Sequence, residues 1–141
     1  MPSPEIRIFK DLETLSRAAA AEFTALAAQI TSDGKLFSAA LSGGSTPKRF
    51  YELLAAPEFS SKVPWPRVHL FQVDERCVPP DDAESNYRMI RQAMLDGIPL
   101  PAVNFHRMPA EQPDHEGAAQ RYETELRETL GAPPPAWPIF D

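Results

Sequence analysis

The sequence predicts a single α/β domain built on a mainly parallel sheet and spanning residues 1–141. Short apolar runs alternate with longer helical patterns along the chain, an order that is typical of parallel strands connected by helices. One of these runs, Val68–Val73 (VHLFQV), is apolar almost throughout, as expected of a strand that is buried on both faces. With 43% hydrophobic and 24% charged residues, the chain has the composition of an ordinary globular protein.

Three further apolar segments are candidates for strands. Ile6–Phe9 is a short run before the first helix, Leu36–Leu41 combines apolar with small residues, and Val103–Phe105 suits a short edge strand. After a proline-rich break, Ile139–Asp141 starts an element that does not continue. We therefore expect the sheet to be truncated at its C-terminal end, with apolar surface on the open edge.

Each of the four predicted helices begins after a residue that can cap it. A side chain that accepts hydrogen bonds from the first free N–H groups stands before each pattern of apolar residues at spacings of three and four. These residues are Asp11, Thr46, Ser85 and Asp114. Pro47 suits the first helical position after Thr46. The expected ends of the helices are Gly34, Ala55, Asp96–Gly97 and the proline-rich segment after Leu130.

Charge and cysteine content narrow the classes of function. The chain has 14 basic and 20 acidic residues, a formal net charge of −6, which disfavours nucleic acid as a partner. Its one cysteine, Cys77, excludes an internal disulfide framework. The start, MPSPEIRIFK, shows no secretory signal, and no run of about 18 apolar residues suggests a membrane span, so we expect a cytoplasmic protein.

The first candidate binding element is Ser42–Pro47 (SGGSTP), which follows a predicted strand and opens a helix. Gly43 and Gly44 let the backbone approach a ligand closely, and the helix start directs N–H groups and a positive dipole end into the same space. Ser45 and Thr46 add hydroxyl donors, so the segment can cradle a phosphate. The spacing matches neither a Walker A loop nor G-x-G-x-x-G. A plain strand–turn–helix connection explains the same residues equally well.

The second candidate element follows the VHLFQV strand. Arg76 can clamp a phosphate or polarise a carbonyl oxygen, and Asp74 can position a water molecule or move a proton. An ion pair within the loop, which also contains Glu75, is the alternative. Asn86, at the start of the next helix, can bond sugar hydroxyls or belong to an ordinary helix cap. Ligands of parallel α/β sheets bind beyond the carboxyl ends of the strands, so we expect these loops to converge.

The three histidines show no spacing that suggests a metal site. His69 stands inside the VHLFQV strand and is expected to be a satisfied core residue. His106 is expected in a loop, and His115 is expected to be exposed at the start of a helix. None of the three is expected to act as a general base.

Several motifs in the same order resemble the 6-phosphogluconolactonase family. They are SGGSTP, VDER, ESNYRMIRQAML, NFHRMPAE and GAAQRYETELRE, and the similarity runs over nearly the whole chain. The related glucosamine-6-phosphate deaminase/isomerases typically show a shorter T-G-S-T-P turn and D-E-Y. Gly43, Gly44 and Arg76 therefore favour the lactonase branch.

The resemblance implies a Rossmann-like three-layer α/β/α fold. It also implies hydrolysis of 6-phospho-D-glucono-1,5-lactone to 6-phosphogluconate, a step of the oxidative pentose phosphate pathway, by a monomer with no metal or organic cofactor. Catalytic roles fall to Asp74 and Arg76. Substrate-binding roles fall to Gly43, Gly44, Ser45, Thr46, Glu75 and Asn86.

Family members use a general-base histidine in a later G-x-D-G-H segment, and the 141 residues contain no Asp-Gly-His. We therefore expect this chain alone to be inactive and its parent protein to be the lactonase. Two alternatives stay open at this point. One is a glucosamine-6-phosphate deaminase/isomerase, and the other is a non-catalytic sugar-phosphate-binding protein.

Overall fold

A computed structural model describes residues 3–141, which form a parallel three-stranded sheet with helices on both faces. The helices are α1 (Leu12–Ser32), α2 (Ser45–Ala55), α3 (Pro57–Ser60), α4 (Asn86–Ala93) and α5 (His115–Leu130). The strands are β1 (Phe37–Leu41), β2 (Val68–Gln72) and β3 (Phe105–His106). Short 3₁₀ turns cover Trp65–Arg67, Leu95–Gly97 and Ala102–Asn104. The predicted α/β class and parallel sheet are confirmed.

Strand β2 lies at the centre of the sheet, with β1 and β3 parallel to it on either side. Val68 and Leu70 join the core cluster formed with α1, α2 and α4, while Phe71 packs against Tyr122 of α5 on the other face. Each of these three β2 residues is 0% exposed. The prediction of a strand buried on both faces is therefore confirmed, and the helices form the outer two of three layers.

Three of the four predicted helix starts are confirmed by hydrogen bonds. The Asp11 carboxylate accepts a bond from the Thr14 N–H at 2.7 Å, and Ser85 and Asp114 cap α4 and α5 in the same way. Short polar side chains cap helices through contacts within three residues, which makes this feature local and readable from sequence. Gly34, with φ of 77°, follows the end of α1 as predicted.

The predicted start of α2 is wrong. The helix begins at Ser45, with Gly44 as its N-cap, so Thr46 and Pro47 are the second and third helical residues. Gly44 has φ of 93°, a conformation that glycine adopts without a steric cost and that turns the chain into the helix two residues early. Proline is tolerated in this first turn because the N–H that it lacks has no partner within the helix.

Two predicted strands differ from the structure. Ile6–Phe9 forms no strand, and Ile6 and Ile8 are 83% and 91% exposed. A run of four residues becomes a strand only when a neighbouring edge supplies hydrogen bonds, and within residues 3–141 no strand pairs with it. The edge strand predicted at residues 103–105 is instead β3, which begins at Phe105. Val103 lies in a 3₁₀ turn, where the Asn104 N–H donates to the Pro101 carbonyl at 2.8 Å.

The last residues lie beside the outer edge of β1. The Asp141 N–H donates to the Ser38 carbonyl at 3.2 Å, and the Asp141 carboxylate accepts from the Ser38 N–H at 2.8 Å. Trp137 and Ile139 nearby are 78% and 83% exposed, in line with the expected apolar surface. Among the helices of the described residues, none is both long and apolar enough to cross a membrane.

His69 and His106 form a hydrogen-bonded pair on the face of the sheet that α5 covers. His69 Nδ1 lies 2.9 Å from His106 Nε2, and His106 Nδ1 lies 2.5 Å from the Glu125 carboxylate. His69 is thus hydrogen-bonded, as predicted, but it is half-buried and does not belong to the core. The loop position predicted for His106 is wrong, since His106 belongs to β3, stacks on Phe71 at 4.1 Å and is 5% exposed. His115 is exposed at the start of α5, as predicted.

We expect the unfolding free energy of the chain to fall as pH is lowered from about 7 to 5. Burial, and then the nearby His106, lower the pKa of His69 below its ordinary value of 6.5. As pH falls through 6.5, the unfolded chain takes up the proton first, so the folded state loses stability. Urea unfolding at several pH values measures this, with His69→Gln as the control that should show a flatter profile. If the unfolding free energies of both proteins changed with pH in the same way, groups other than His69 would be responsible for the pH dependence.

Candidate active site

A cavity of about 270 Å³ opens at the carboxyl ends of β1 and β2. These ends are adjacent because the two strands run parallel and in register, and the Val73 N–H still bonds to the Leu41 carbonyl at 3.0 Å. The structure therefore brings the two predicted loops together, with Gly44 and Arg76 in one cavity. The lining residues are Ser42, Gly43, Gly44, Val73, Asp74, Arg76 and Asn86.

The start of α2 forms one side of this cavity. Gly44 caps the helix without a side-chain hydrogen bond, so the N–H groups of Ser45 and Thr46 point outward without intrahelical acceptors. The positive end of the helix dipole adds to their attraction for an anion. A Cβ atom built on Gly44 meets nothing within 4 Å, so the space in front of the helix start is open. Ser45 and Thr46 are exposed in the first turn, just beyond the cavity lining.

The neighbouring Gly43 makes room for Asn86. A Cβ atom on Gly43 would stand 2.0 Å from the Oδ1 atom of Asn86, which is closer than any real contact. Asn86 is 4% exposed, and its amide donates to the Asp74 carboxylate at 3.2 Å and to the Asp74 carbonyl at 3.3 Å. Asn86 is thereby wedged between the two loops, and it holds the Asp74 side chain at the cavity.

Glu75 faces away from the cavity and accepts five hydrogen bonds. One oxygen accepts from the backbone N–H groups of Arg76 and Asn86, at 2.8 and 2.7 Å. The other accepts from the Tyr87 N–H at 2.9 Å, the Ser85 hydroxyl at 3.0 Å and the Gln72 amide at 3.1 Å. Burial alone would raise the pKa of Glu75, but the backbone N–H groups of Tyr87, Asn86 and Arg76 and the Gln72 amide bring this pKa below its ordinary value of 4.5. A substrate contact for Glu75 stays a prediction of the sequence.

Sequence reasoning did not foresee the network around Glu75. The available signal was the position of a carboxylate just after a strand, followed by a Ser-Asn helix start, because a negative charge is stabilised by free N–H groups at a helix N-terminus. The contribution of Gln72 had no signal in the sequence, since it depends on three segments that meet only in the folded chain.

Arg76 and Asp74 project from the loop into solvent at the cavity mouth. The Arg76 guanidinium donates from Nη1 to the Glu84 carbonyl at 2.7 Å. A guanidinium has five N–H donors, so most of its capacity remains for a ligand. Among residues 3–141, no ion pair joins Arg76 to Asp74 or Glu75, and the loop ion pair considered as an alternative is not formed.

A second cavity, of about 240 Å³, lies beside α5 and is almost entirely apolar. Its lining includes Cys77, Met108, Tyr122 and Leu126. This cavity lacks the backbone donors and the guanidinium of the site at the strand ends, so it does not suit an oxyanion. The described part of the chain contains no cluster of three or more His, Cys, Asp or Glu side chains arranged for a metal ion.

The fold and the cavity together define an α/β protein in which a helix N-terminus and a guanidinium lie at one cavity, at the carboxyl ends of parallel strands. Comparison with known families makes this more specific. Residues 10–141 match the family described as glucosamine-6-phosphate isomerases/6-phosphogluconolactonase, and the chain belongs to this family.

The known proteins to which this chain is similar include several 6-phosphogluconolactonases. The chain is 42% identical to the 6-phosphogluconolactonase of Nostoc sp. over 105 residues, which are 74% of this chain and 42% of that protein. It is 44% identical to that of Synechocystis sp. over 102 residues, 72% of this chain and 41% of that protein. The crystal structure of 6-phosphogluconolactonase from Thermotoga maritima is 30% identical, with a TM-score of 0.73 over 89% of this chain and 55% of that one.

The chain therefore spans about half the length of the relatives that it matches. A monomeric glucosamine-6-phosphate deaminase superposes with a TM-score of 0.72 at 21% identity, a likeness that shows the shared fold alone.

Proposed function

We propose that the full-length gene product containing this chain hydrolyses 6-phospho-D-glucono-1,5-lactone to 6-phosphogluconate. The observation that carries the proposal is the shared cavity of Gly43, Gly44 and Arg76 at the ends of β1 and β2. A donor-lined helix start and a guanidinium on one cavity suit a substrate with two separate oxyanion-forming groups. The names of the relatives from Nostoc and Synechocystis support this choice of substrate.

The residues of the cavity divide the chemical work between them. The phosphate binds at the start of α2, where Gly43 and Gly44 leave backbone N–H groups accessible and Ser45 and Thr46 add hydroxyl donors. Arg76 stabilises the negative charge that grows on the lactone carbonyl oxygen as water adds, and a preorganised donor of this kind is often the largest single contribution to catalysis.

Asp74 and Asn86 complete the proposed site. Asp74 positions the attacking water or moves a proton, and Asn86 keeps it in place through the bond of 3.2 Å to its carboxylate. Asn86 is 4% exposed but lines the cavity, and we propose that its amide bonds a sugar hydroxyl there.

None of the histidines within residues 3–141 lines the proposed site. His69 and His106 bond to each other on the face covered by α5, and His115 lines the apolar cavity beside that helix. We propose that the general base is instead a histidine in the part of the protein that corresponds to the remaining half of the relatives, as the resemblance implies.

Several broader properties go with the proposal. They are a role in the oxidative pentose phosphate pathway, a cytoplasmic location, a monomeric state, and catalysis without a cofactor or a nucleic acid partner. The net charge of −6 supports the absence of a nucleic acid partner. The deaminase/isomerase alternative is less well supported, because Arg76 stands where those enzymes typically have tyrosine.

The proposal is tested by measuring hydrolysis of the phospho-lactone with the full-length gene product and with the 141-residue chain. We expect the full-length protein to accelerate ring opening well above the spontaneous rate, and the chain to bind 6-phosphogluconate in calorimetry without turnover. Release of ammonia from glucosamine 6-phosphate is the control reaction, and none is expected. A full-length protein that leaves the spontaneous rate unchanged would refute the lactonase assignment, and binding without turnover would then favour the non-catalytic alternative.

A further inference from the structure

The Glu75 carboxylate sits behind the cavity wall, at the junction of three segments. Its five hydrogen-bond donors come from the end of β2, the following loop and the first turn of α4. Two of these donors are the backbone N–H groups of Arg76 and Asn86, the residues whose side chains line the cavity. With both oxygens occupied, the carboxylate has little capacity left for a substrate hydroxyl.

Gln72 connects this carboxylate to the other half of the sheet. Its amide nitrogen donates to Glu75 at 3.1 Å, and its amide oxygen accepts from the Met108 N–H at 2.8 Å. The Gln72 backbone bonds to the Tyr122 hydroxyl through both its N–H and its carbonyl, at 2.8 and 2.9 Å. Gln72 is 2% exposed and Tyr122 is 6% exposed, so these bonds are shielded from water and fix the orientation of the Gln72 side chain.

We propose that Glu75, oriented by Gln72, is a positioning residue that holds the backbone of Arg76 and Asn86 in place and does not itself touch the substrate. The inference rests on the proposed lactonase function for its kinetic test. A displacement of the Arg76 backbone moves the guanidinium away from the oxygen that it stabilises, and small misplacements of catalytic groups are costly. The role therefore acts on the reaction through Arg76.

A double-mutant cycle on the full-length gene product tests this. In Glu75→Gln, an NH₂ group replaces one oxygen and faces N–H and O–H donors, so the loop is pushed out of position. We expect kcat/KM for the phospho-lactone to fall by about tenfold or more in this variant. In a protein that already carries Arg76→Ala, the same change should cost at least about threefold less, because the part of its effect that runs through Arg76 is already lost and only the part that runs through Asn86 remains.

Two further variants separate positioning from general stability. Gln72→Met keeps the side-chain volume, removes the donor to Glu75, and should lower kcat/KM in the same non-additive way. Asn104→Ala is the control: it removes a buried amide that bonds to the Pro66 carbonyl at the opposite end of β2. That variant should lower the unfolding midpoint while kcat/KM at temperatures below unfolding stays unchanged. An equal loss of kcat/KM for Glu75→Gln in both backgrounds would mean that Glu75 does not act through Arg76 and would overturn the proposal.

Amide hydrogen exchange gives a readout that needs no activity. The N–H groups of Arg76, Asn86 and Tyr87 should exchange about tenfold or more faster in Glu75→Gln than in the wild-type protein. Unchanged exchange at these three amides would overturn the positioning role even if the lactonase assay succeeds. If the wild-type protein proves inactive, the proposed function fails, while the exchange rates still decide the role of Glu75.

Discussion

Replacing Arg76 with alanine is expected to lower kcat/KM of the full-length protein for the phospho-lactone by about 10²–10³, the usual cost of losing one preorganised donor to a developing oxyanion. The guanidinium stands at the cavity mouth, and among residues 3–141 a single hydrogen bond, from Nη1 to the Glu84 carbonyl, holds it to the protein. Lysine carries the same charge as arginine but lacks its planar fork of hydrogen-bond donors. Arg76→Lys should therefore fall between the wild type and the alanine variant.

Arg88→Ala is the matched control for this prediction. Arg88 is a nearby arginine on α4 that bonds to the Asp81 carbonyl at 3.1 Å and does not line the cavity. Its loss changes the net charge by the same amount but should leave kcat/KM within about twofold of the wild type, since exposed charges at a distance are screened by salt. Steady-state kinetics of the four proteins, with calorimetric affinities for 6-phosphogluconate, provide the measurement. Equal losses of kcat/KM in Arg76→Ala and Arg88→Ala would show that the net charge of the protein matters and that Arg76 makes no specific contact with the substrate.

Replacing Gly43 with alanine is expected to abolish most ligand binding and to destabilise the fold. The new Cβ would collide with the Asn86 amide at 2.0 Å, and Asn86 cannot retreat without breaking its bonds to Asp74. Overpacking of a tightly filled site costs about 1–3 kcal/mol, occasionally more. Here the strain would also displace Asp74 and reshape the cavity, so affinity for 6-phosphogluconate should fall together with the free energy of unfolding.

Gly44→Ala and the double variant Gly43→Ala/Asn86→Gly identify the cause. At Gly44 a Cβ meets nothing within 4 Å, so the expected cost of about 1–3 kcal/mol comes only from the φ of 93°. Removing the Asn86 side chain should relieve the collision, so the double variant should be more stable than the sum of the single changes indicates. Urea unfolding and calorimetry measure both quantities. Wild-type affinity in Gly43→Ala would contradict the proposed packing of the two loops.

Much of the site could be predicted because parallel strands place their carboxyl ends at one edge of a sheet. From the apolar VHLFQV run and the Gly-Gly turn, the sequence indicated two loops that converge, and the structure brings Gly44 and Arg76 to one cavity. The sequence could not indicate which hydrogen-bond partner each polar side chain has. Glu75 and Asn86 are both polar residues between β2 and the first turn of α4, yet Glu75 accepts hydrogen bonds from the backbone behind the cavity wall, whereas Asn86 fills the space left by Gly43.

The sequence by itself determined the α/β class, the order of the three paired strands and the four longer helices, and the caps at Asp11, Ser85 and Asp114, because periodicity and capping act over a few neighbouring residues. Only the tertiary structure decided that Ile6–Phe9 forms no strand within residues 3–141 and that the N-cap of α2 is Gly44 in place of Thr46. It alone also linked Gln72 to Glu75. The pairing of strands and the contact of Gln72 with Glu75 depend on which distant segments supply hydrogen bonds. The cap of α2 depends on the backbone angle of Gly44, which the packing of the two loops selects. No short stretch of the chain encodes either of these features.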